Sequence, residues 1–151
     1  MKRFLFFMLM PAVILTSREA KSQCESEILD SYGAVSSMYL YNTYIVIGSV
    51  GDGFEKGVYD AAYTKLIMNE QISAADNIIS GYKAVLATGT ITREDSVTLK
   101  EMADCCELLK AEATALNVYA DDSSAINGDK FQEKRKAAWA KIAEILGFEN
   151  E

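Results

Sequence analysis

Residues 99–120, LKEMADCCELLKAEATALNVYA, decide the fold class. Leu99, Met102, Cys106, Leu109, Ala113, Leu116 and Ala120 recur in them at alternating steps of three and four, the spacing of one face of an α-helix. Just upstream, Thr92 and Asp95 form a capping box: the threonine hydroxyl receives orphan backbone amides, and the acid favours the positive end of the helix dipole. A helix over about 93–120 follows.

Working towards the N-terminus, Tyr59, Tyr63, Leu66, Glu70, Ala74, Ile78, Tyr82 and Val85 keep helical spacing and predict a second helix over about 55–88, stopped at Gly89. Before it, Ile28, Tyr32, Val35, Tyr39, Asn42 and Val46 mark one face of a helix over about 25–50. The paired glycines of Gly51-Asp52-Gly53 are expected to break that helix.

On the C-terminal side, Asp121 to Asp129 is dense in turn formers and reads as a loop. An EF-hand alignment on Asn127-Gly128 fails, because Ser123, Ala125 and Lys134 stand where ligands are needed. Asp129 is then expected to cap a fourth helix over about 130–146, with Phe131, Ala138, Trp139, Ile142, Ile145 and Leu146 as its apolar stripe. Gly147 followed by Phe148 fits a glycine C-cap closed by a hydrophobic contact. Four helices with short connections predict an all-α, up-down-up-down four-helix bundle.

The first residues read as an address. Lys2 and Arg3 precede an apolar run from Phe4 to Leu15, and the small residues Ala20 and Ser22 follow. This predicts a signal peptide over 1–22, cleavage before Gln23 and a single helical domain over 23–151, periplasmic or secreted. Arg18 stands where a lipoprotein signal would place its cysteine. The apolar run is too short for a comfortable membrane span. A second uncharged stretch, Gly33 to Val50, carries serines, tyrosines and Asn42 and has no flanking Lys or Arg, so it predicts a helix buried on most of its circumference or at a subunit contact.

Composition narrows the function. With no histidine among 151 residues, Ser-His-Asp and Cys-His catalysis and the Glu-x-x-His di-iron sites of helix bundles are excluded. Three cysteines, two of them adjacent, give no zinc-ligand pairing. No cofactor or metal is expected, and no enzymatic activity. The net charge is −7, and removal of Lys2, Arg3, Glu19, Arg18 and Lys21 with the signal takes it to −10, so nucleic acid is not an expected partner. The basic cluster Lys130, Lys134, Arg135, Lys136 and Lys141 follows an acidic segment, 93–122, and the two are expected to attract each other as neighbouring helices.

Two groups of candidate site residues remain. A fourth helix of only about 17 residues would fall roughly 15 Å short of its neighbours at 1.5 Å per residue. That shortfall would leave a groove lined by Ile28, Tyr32, Tyr82, Val85, Leu86 and Leu99, where a partner helix or a second copy could dock. Tyr41 and Tyr44, in the tyrosine-rich first helix, extend the candidate binding face. The alternative is a ligand pocket in a mid-bundle polar layer of Ser36, Glu70, Gln71, Cys106 and Trp139. A disulfide from Cys24 to Cys105 or Cys106 is geometrically disfavoured, since the two ends lie ~18 Å apart along the bundle. The leading expectation is a non-enzymatic protein-binding module of the bacterial cell envelope, either an immunity or inhibitor protein or an accessory subunit of a secretion or conjugation machine, with a protein partner or homo-oligomerisation.

Overall fold

A computed structural model describes the backbone of residues 9–148, with side chains for 27, 28 and 31–148. The described residues form four helices and no strand: α1 Leu9–Glu55, α2 Ala61–Ala87, α3 Arg93–Asp121 and α4 Ala125–Leu146. This all-helical architecture is consistent with a four-helix bundle. The contacts divide the chain into two units, Met1–Ser36 and Ser37–Glu151. Of the expected signal segment 1–22, residues 1–8 lie outside the described residues, while the backbone of 9–22 is part of α1, which thus begins upstream of the expected start near residue 25; the side chains of 1–22 and of Cys24 are not described.

The expected helix ends hold where a specific cap dictates them. Thr92 Oγ1 accepts from the Asp95 amide at 3.1 Å and donates to Asp95 Oδ2 at 2.7 Å, closing both halves of the box. Gly89 and Gly147 take the left-handed conformation, with φ of 63° and 69°. The Phe148 amide donates to the Ala143 carbonyl at 2.9 Å, the long bond of a Schellman turn.

Three expectations are corrected. First, α1 does not break at Gly51-Asp52-Gly53 but runs on to Glu55. Those glycines serve close packing: a Cβ on Gly51 would lie 2.6 Å from Cζ of Phe131, and one on Gly53 would overlap the Tyr59 ring. The turn falls at Gly57, with φ of 70°, and α2 begins only at Ala61, where Asp60 accepts from the Tyr63 amide at 2.8 Å.

Second, α4 starts at Ala125, five residues ahead of the expected position, so Asp129 lies inside the helix and Ser124 occupies the N-cap position without a side-chain bond to the helix amides. Asn127 Nδ2 donates to both the carbonyl and a carboxylate oxygen of Asp122, at 3.0 Å each. The turn formers are thereby tied back over the helix start, and the extended loop expected there is only residues 122–124.

Third, the stripes of α1 and α2 have a different phase from the one expected. In the second unit α1 buries Leu40, Thr43, Ile47 and Val50, whereas Asn42 and Val46 are exposed and Tyr39 is half-buried. α2 buries Thr64, Met68, Ala75, Ile79 and Tyr82; of the expected stripe its first half, Tyr63, Leu66 and Glu70, is exposed, whereas Ala74, Ile78 and Val85 are half-buried and Tyr82 is core, and Tyr59 lies in the turn before the helix. α3 and α4 keep the expected phase, with Leu99, Met102, Cys106, Leu109, Ala113, Leu116 and Ala120 buried alongside Phe131, Ala138 and Ile142. These residues and the buried seams of α1 and α2 make one continuous apolar core.

Candidate functional site

The outward face of α1 is set by what the helix buries. Leu40, Thr43, Ile47 and Val50 occupy the core side, so residues about 200° away around the helix must face out. Those residues are apolar as well: Met38 is 65% exposed, Ile45 44%, and Tyr41 and Val46 are also exposed, together with the small polar Asn42 and Ser49. No charged side chain stands in the sequence between Asp30 and Asp52. The outer surfaces of the other helices also expose apolar side chains, among them Leu66, Val97, Val118 and Ile126, but interleave them with charge. α2 exposes Glu70, Asp76 and Lys83, α3 exposes Glu94, Lys100, Asp104 and Glu107, and α4 exposes Lys130, Glu133, Lys136 and Glu144. Facing away from the core, α1 thus presents an uncharged surface of apolar and small polar side chains.

An aromatic cluster borders this face. Tyr41 meets Phe148 edge-on with ring centroids 6.1 Å apart, Phe148 stacks on Trp139 at 6.0 Å, and Trp139 packs on Tyr44 at 5.2 Å. The glycine turn at Gly147 is what brings Phe148 back onto α1 and α4. Of the candidate residues, the fold therefore unites Tyr41, Tyr44 and Trp139, with Phe148 as the fourth member.

The other candidates are distributed differently. Tyr82 and Leu99 are buried in the core, and Val85 and Leu86 are half-buried against it. Ile28, 62% exposed, and Tyr32, also exposed, belong to the first unit, as does Ser36. Of the polar layer, Cys106 is buried, Gln71 and Trp139 are half-buried, and Glu70 is exposed. The carboxylate placed in the apolar rhythm of α2 thus turns to solvent.

The buried acid is a different one. Glu112 of α3 is fully buried, and among the described residues neither carboxyl oxygen has a hydrogen-bond partner. Burial pushes its carboxyl up to about 8, against the opposing charge of Arg135, so it is protonated at neutral pH. Sequence reasoning passed over Glu112 because it lies beside the heptad stripe. Its signal is the wider seam: it stands seven residues after Cys105, and both are buried.

Arg135 Nη1 donates to Asp52 Oδ1 at 2.7 Å, with Tyr44 beside it, and this pair ties α4 to α1. Cys105 and Cys106 are free and buried, and their thiols are pushed up to about 12 chiefly by that burial, which removes nucleophilic character. Between α3 and α4 an open groove of about 620 Å³ is floored by Ala111, Ala115 and Val118 and rimmed by lysines and glutamates. Two of its lysines are already engaged, Lys110 with Asp76 at 2.5 Å and Lys134 with Glu133 at 3.1 Å.

Among the described residues no cluster of acids and cysteines has the arrangement of a metal site, and no helix is long and apolar enough to cross a membrane. The chain matches no family model, no curated protein and no solved structure.

Proposed function

We propose that the protein is an exported, non-enzymatic protein-binding module of the bacterial cell envelope, made after removal of a signal peptide over 1–22. The immunity, inhibitor and accessory-subunit roles all belong to this class. What carries the reading is the outward face of α1 in the second unit, where Met38, Tyr41, Ile45 and Val46 are exposed with no charged residue among them. An exposed apolar strip that no charge interrupts is a common form of a protein contact.

The sequence of Lys2, Arg3, the run from Phe4 to Leu15 and Ala20-Lys21-Ser22 supports export. An up-down-up-down order of the helices is part of the same reading. It is supported by the pairs Lys65 with Asp121, Asn69 with Asn117 and Asp76 with Lys110, in which numbers rising along α2 meet numbers falling along α3.

The test compares the wild type with a Met38→Glu, Ile45→Lys variant in pull-downs from envelope extracts, followed by circular dichroism. Loss of a stoichiometric partner with an unchanged helical signal is expected. A partner retained at wild-type level would refute the assignment of the face.

A further inference from the structure

We propose that Arg135 is a two-position latch: it holds Asp52 of α1 while the buried carboxyl of Glu112 is protonated and turns inward to Glu112 of α3 when that carboxyl ionises, so that a rise in pH unties α4 from α1 and ties it to α3.

The close approach of α1 to its neighbours sets the layers. At Gly51 the α1 backbone meets Phe131 of α4 and Leu116 of α3, whose Cζ and Cδ2 lie 2.6 and 3.5 Å from the place a Cβ would take. One helical turn away on each element the corresponding residues are Gly48, Arg135 and Glu112. A Cβ on Gly48 would fall 2.8 Å from Arg135 Nη2, which puts the guanidinium in that layer. A fully buried carboxyl, with no hydrogen-bond partner among the described residues, therefore shares its layer with a cation that another acid already holds.

The two acids compete for that cation on unequal terms. Asp52, which accepts from Arg135 Nη1 at 2.7 Å, is 47% exposed, and water can replace the guanidinium there at small cost. Glu112 has no water to fall back on, and an ionised carboxylate left unpaired in the core is far more costly than an exposed ion pair lost. Protonated, Glu112 leaves Arg135 to Asp52; ionised, it is the stronger claimant. The missing side chain at Gly48 keeps the space through which the guanidinium turns.

The surroundings leave Arg135 as the partner. On α4, Lys134 is paired with Glu133 and Lys136 is exposed. α2 buries Met68, Ala75 and Ile79, while its acids Glu70 and Asp76 stand in solvent. α1 brings Tyr44 and Asp52, both beside Arg135. Within α3, Glu107 is exposed, Lys110 is held by Asp76, and the buried thiols of Cys105 and Cys106 stay neutral. The charge that acts on Glu112 is that of Arg135. The helix released by the exchange is α1, which carries the proposed contact face.

The test is a carboxyl and arginine side-chain NMR titration of the full chain, labelled with carbon-13 and nitrogen-15, from pH 6 to pH 9.5. The Glu112 Cδ, Asp52 Cγ and Arg135 Nε resonances should move together with one midpoint, Glu112 as it loses its proton and the other two as they part. The wild type alone reads the exchange, without any substitution. In Glu112→Gln the Asp52 and Arg135 signals should keep their pH 6 positions throughout. Asp52→Asn frees the guanidinium and should lower the Glu112 midpoint, and the same substitution in an Arg135→Gln background should lower it much less.

A Glu112 that titrates in this range while Asp52 and Arg135 stay in place overturns the latch, and so does a Glu112 that does not titrate there at all. Equal midpoint shifts from Asp52→Asn with and without Arg135 would also overturn it, because the effect would then be the loss of a nearby negative charge alone.

Discussion

The guanidinium of Arg135 lies against the bare backbone of Gly48, where a Cβ would fall 2.8 Å from Nη2. From there Arg135 reaches Asp52, one turn further along α1. Adding a methyl group in Gly48→Ala has two opposed effects. Alanine in a helix interior gains about 1 kcal/mol over glycine. The displaced guanidinium loses a partly exposed ion pair worth at most about 1 kcal/mol. The variant should stay within about 1 kcal/mol of the wild type in urea unfolding, since the obstructing group is the free end of a long side chain.

Gly51→Ala should behave differently, although it lies on the same helix and gains the same propensity. Its Cβ would meet the ring of Phe131, which is fully buried and has nowhere to go. Overpacking of that kind costs about 1–3 kcal/mol, so a net loss of up to roughly 2 kcal/mol is expected after the propensity gain of about 1 kcal/mol. If Gly51→Ala proves as stable as Gly48→Ala, the close approach of α1 to α4 at this level is wrong.

How much of this was legible depends on where the charges lie. In α3 and α4 frequent Lys, Glu and Asp mark the solvent side, so the stripes through Leu109 and Phe131 could be placed in the right phase. In α1 there is no charge between Asp30 and Asp52, and both Val46 and Ile47 belong to plausible heptads. Spacing fixes that there is a seam, not which of two seams faces inward. The spacing picks out the face of Ile28, Val35 and Asn42, whereas from Ser37 onward the helix buries Leu40, Thr43, Ile47 and Val50. Glycine was ambiguous for a related reason. Gly51 and Gly53 look like breakers in one dimension, and only the rings of Phe131 and Tyr59 reveal them as contact points. Glu112 was invisible because a carboxylate beside an apolar stripe is ordinarily a surface residue.

The helix starts give a graded set. Asp60 accepts from the Tyr63 amide and Thr92 from the Asp95 amide, so Asp60→Ala and Thr92→Ala should each cost about 1 kcal/mol. Ser124 occupies the same position of α4 but makes no side-chain bond to the helix amides. Ser124→Ala should therefore cost less than about 0.5 kcal/mol. Denaturation midpoints of the three variants give the comparison, and an equal loss in all three would contradict the cap geometry.

Cys105 and Cys106 should be inert in the native protein. Both are fully buried, and with thiols pushed up to about 12 almost no thiolate exists at pH 8. In a Cys24→Ser background, Ellman's reagent should release no chromophore until guanidinium unfolds the chain, and then two equivalents. Rapid native reaction of either thiol would show that α3 opens locally.

Glu112 should make the protein less stable as the solution becomes more alkaline. Its carboxyl titrates near 4.5 when unfolded and at about 8 when folded. Between those values the native state holds a proton that the unfolded state has released. Its contribution is therefore full below the unfolded value and is lost as pH rises through the folded one. The span corresponds to a difference on the order of a few kcal/mol. Glu112→Gln keeps the shape of the neutral acid and removes the titration. The variant should match the wild type near pH 4.5 and exceed it by that order at pH 9, so the difference between the two thermal-midpoint curves isolates this group from the many surface carboxylates. Arg135→Gln supplies the complementary arm. Removing the positive charge that opposes the shift should move the steep part of the curve to higher pH. Parallel wild-type and Glu112→Gln curves across this range would show that the carboxyl finds water or a hydrogen-bond partner in solution.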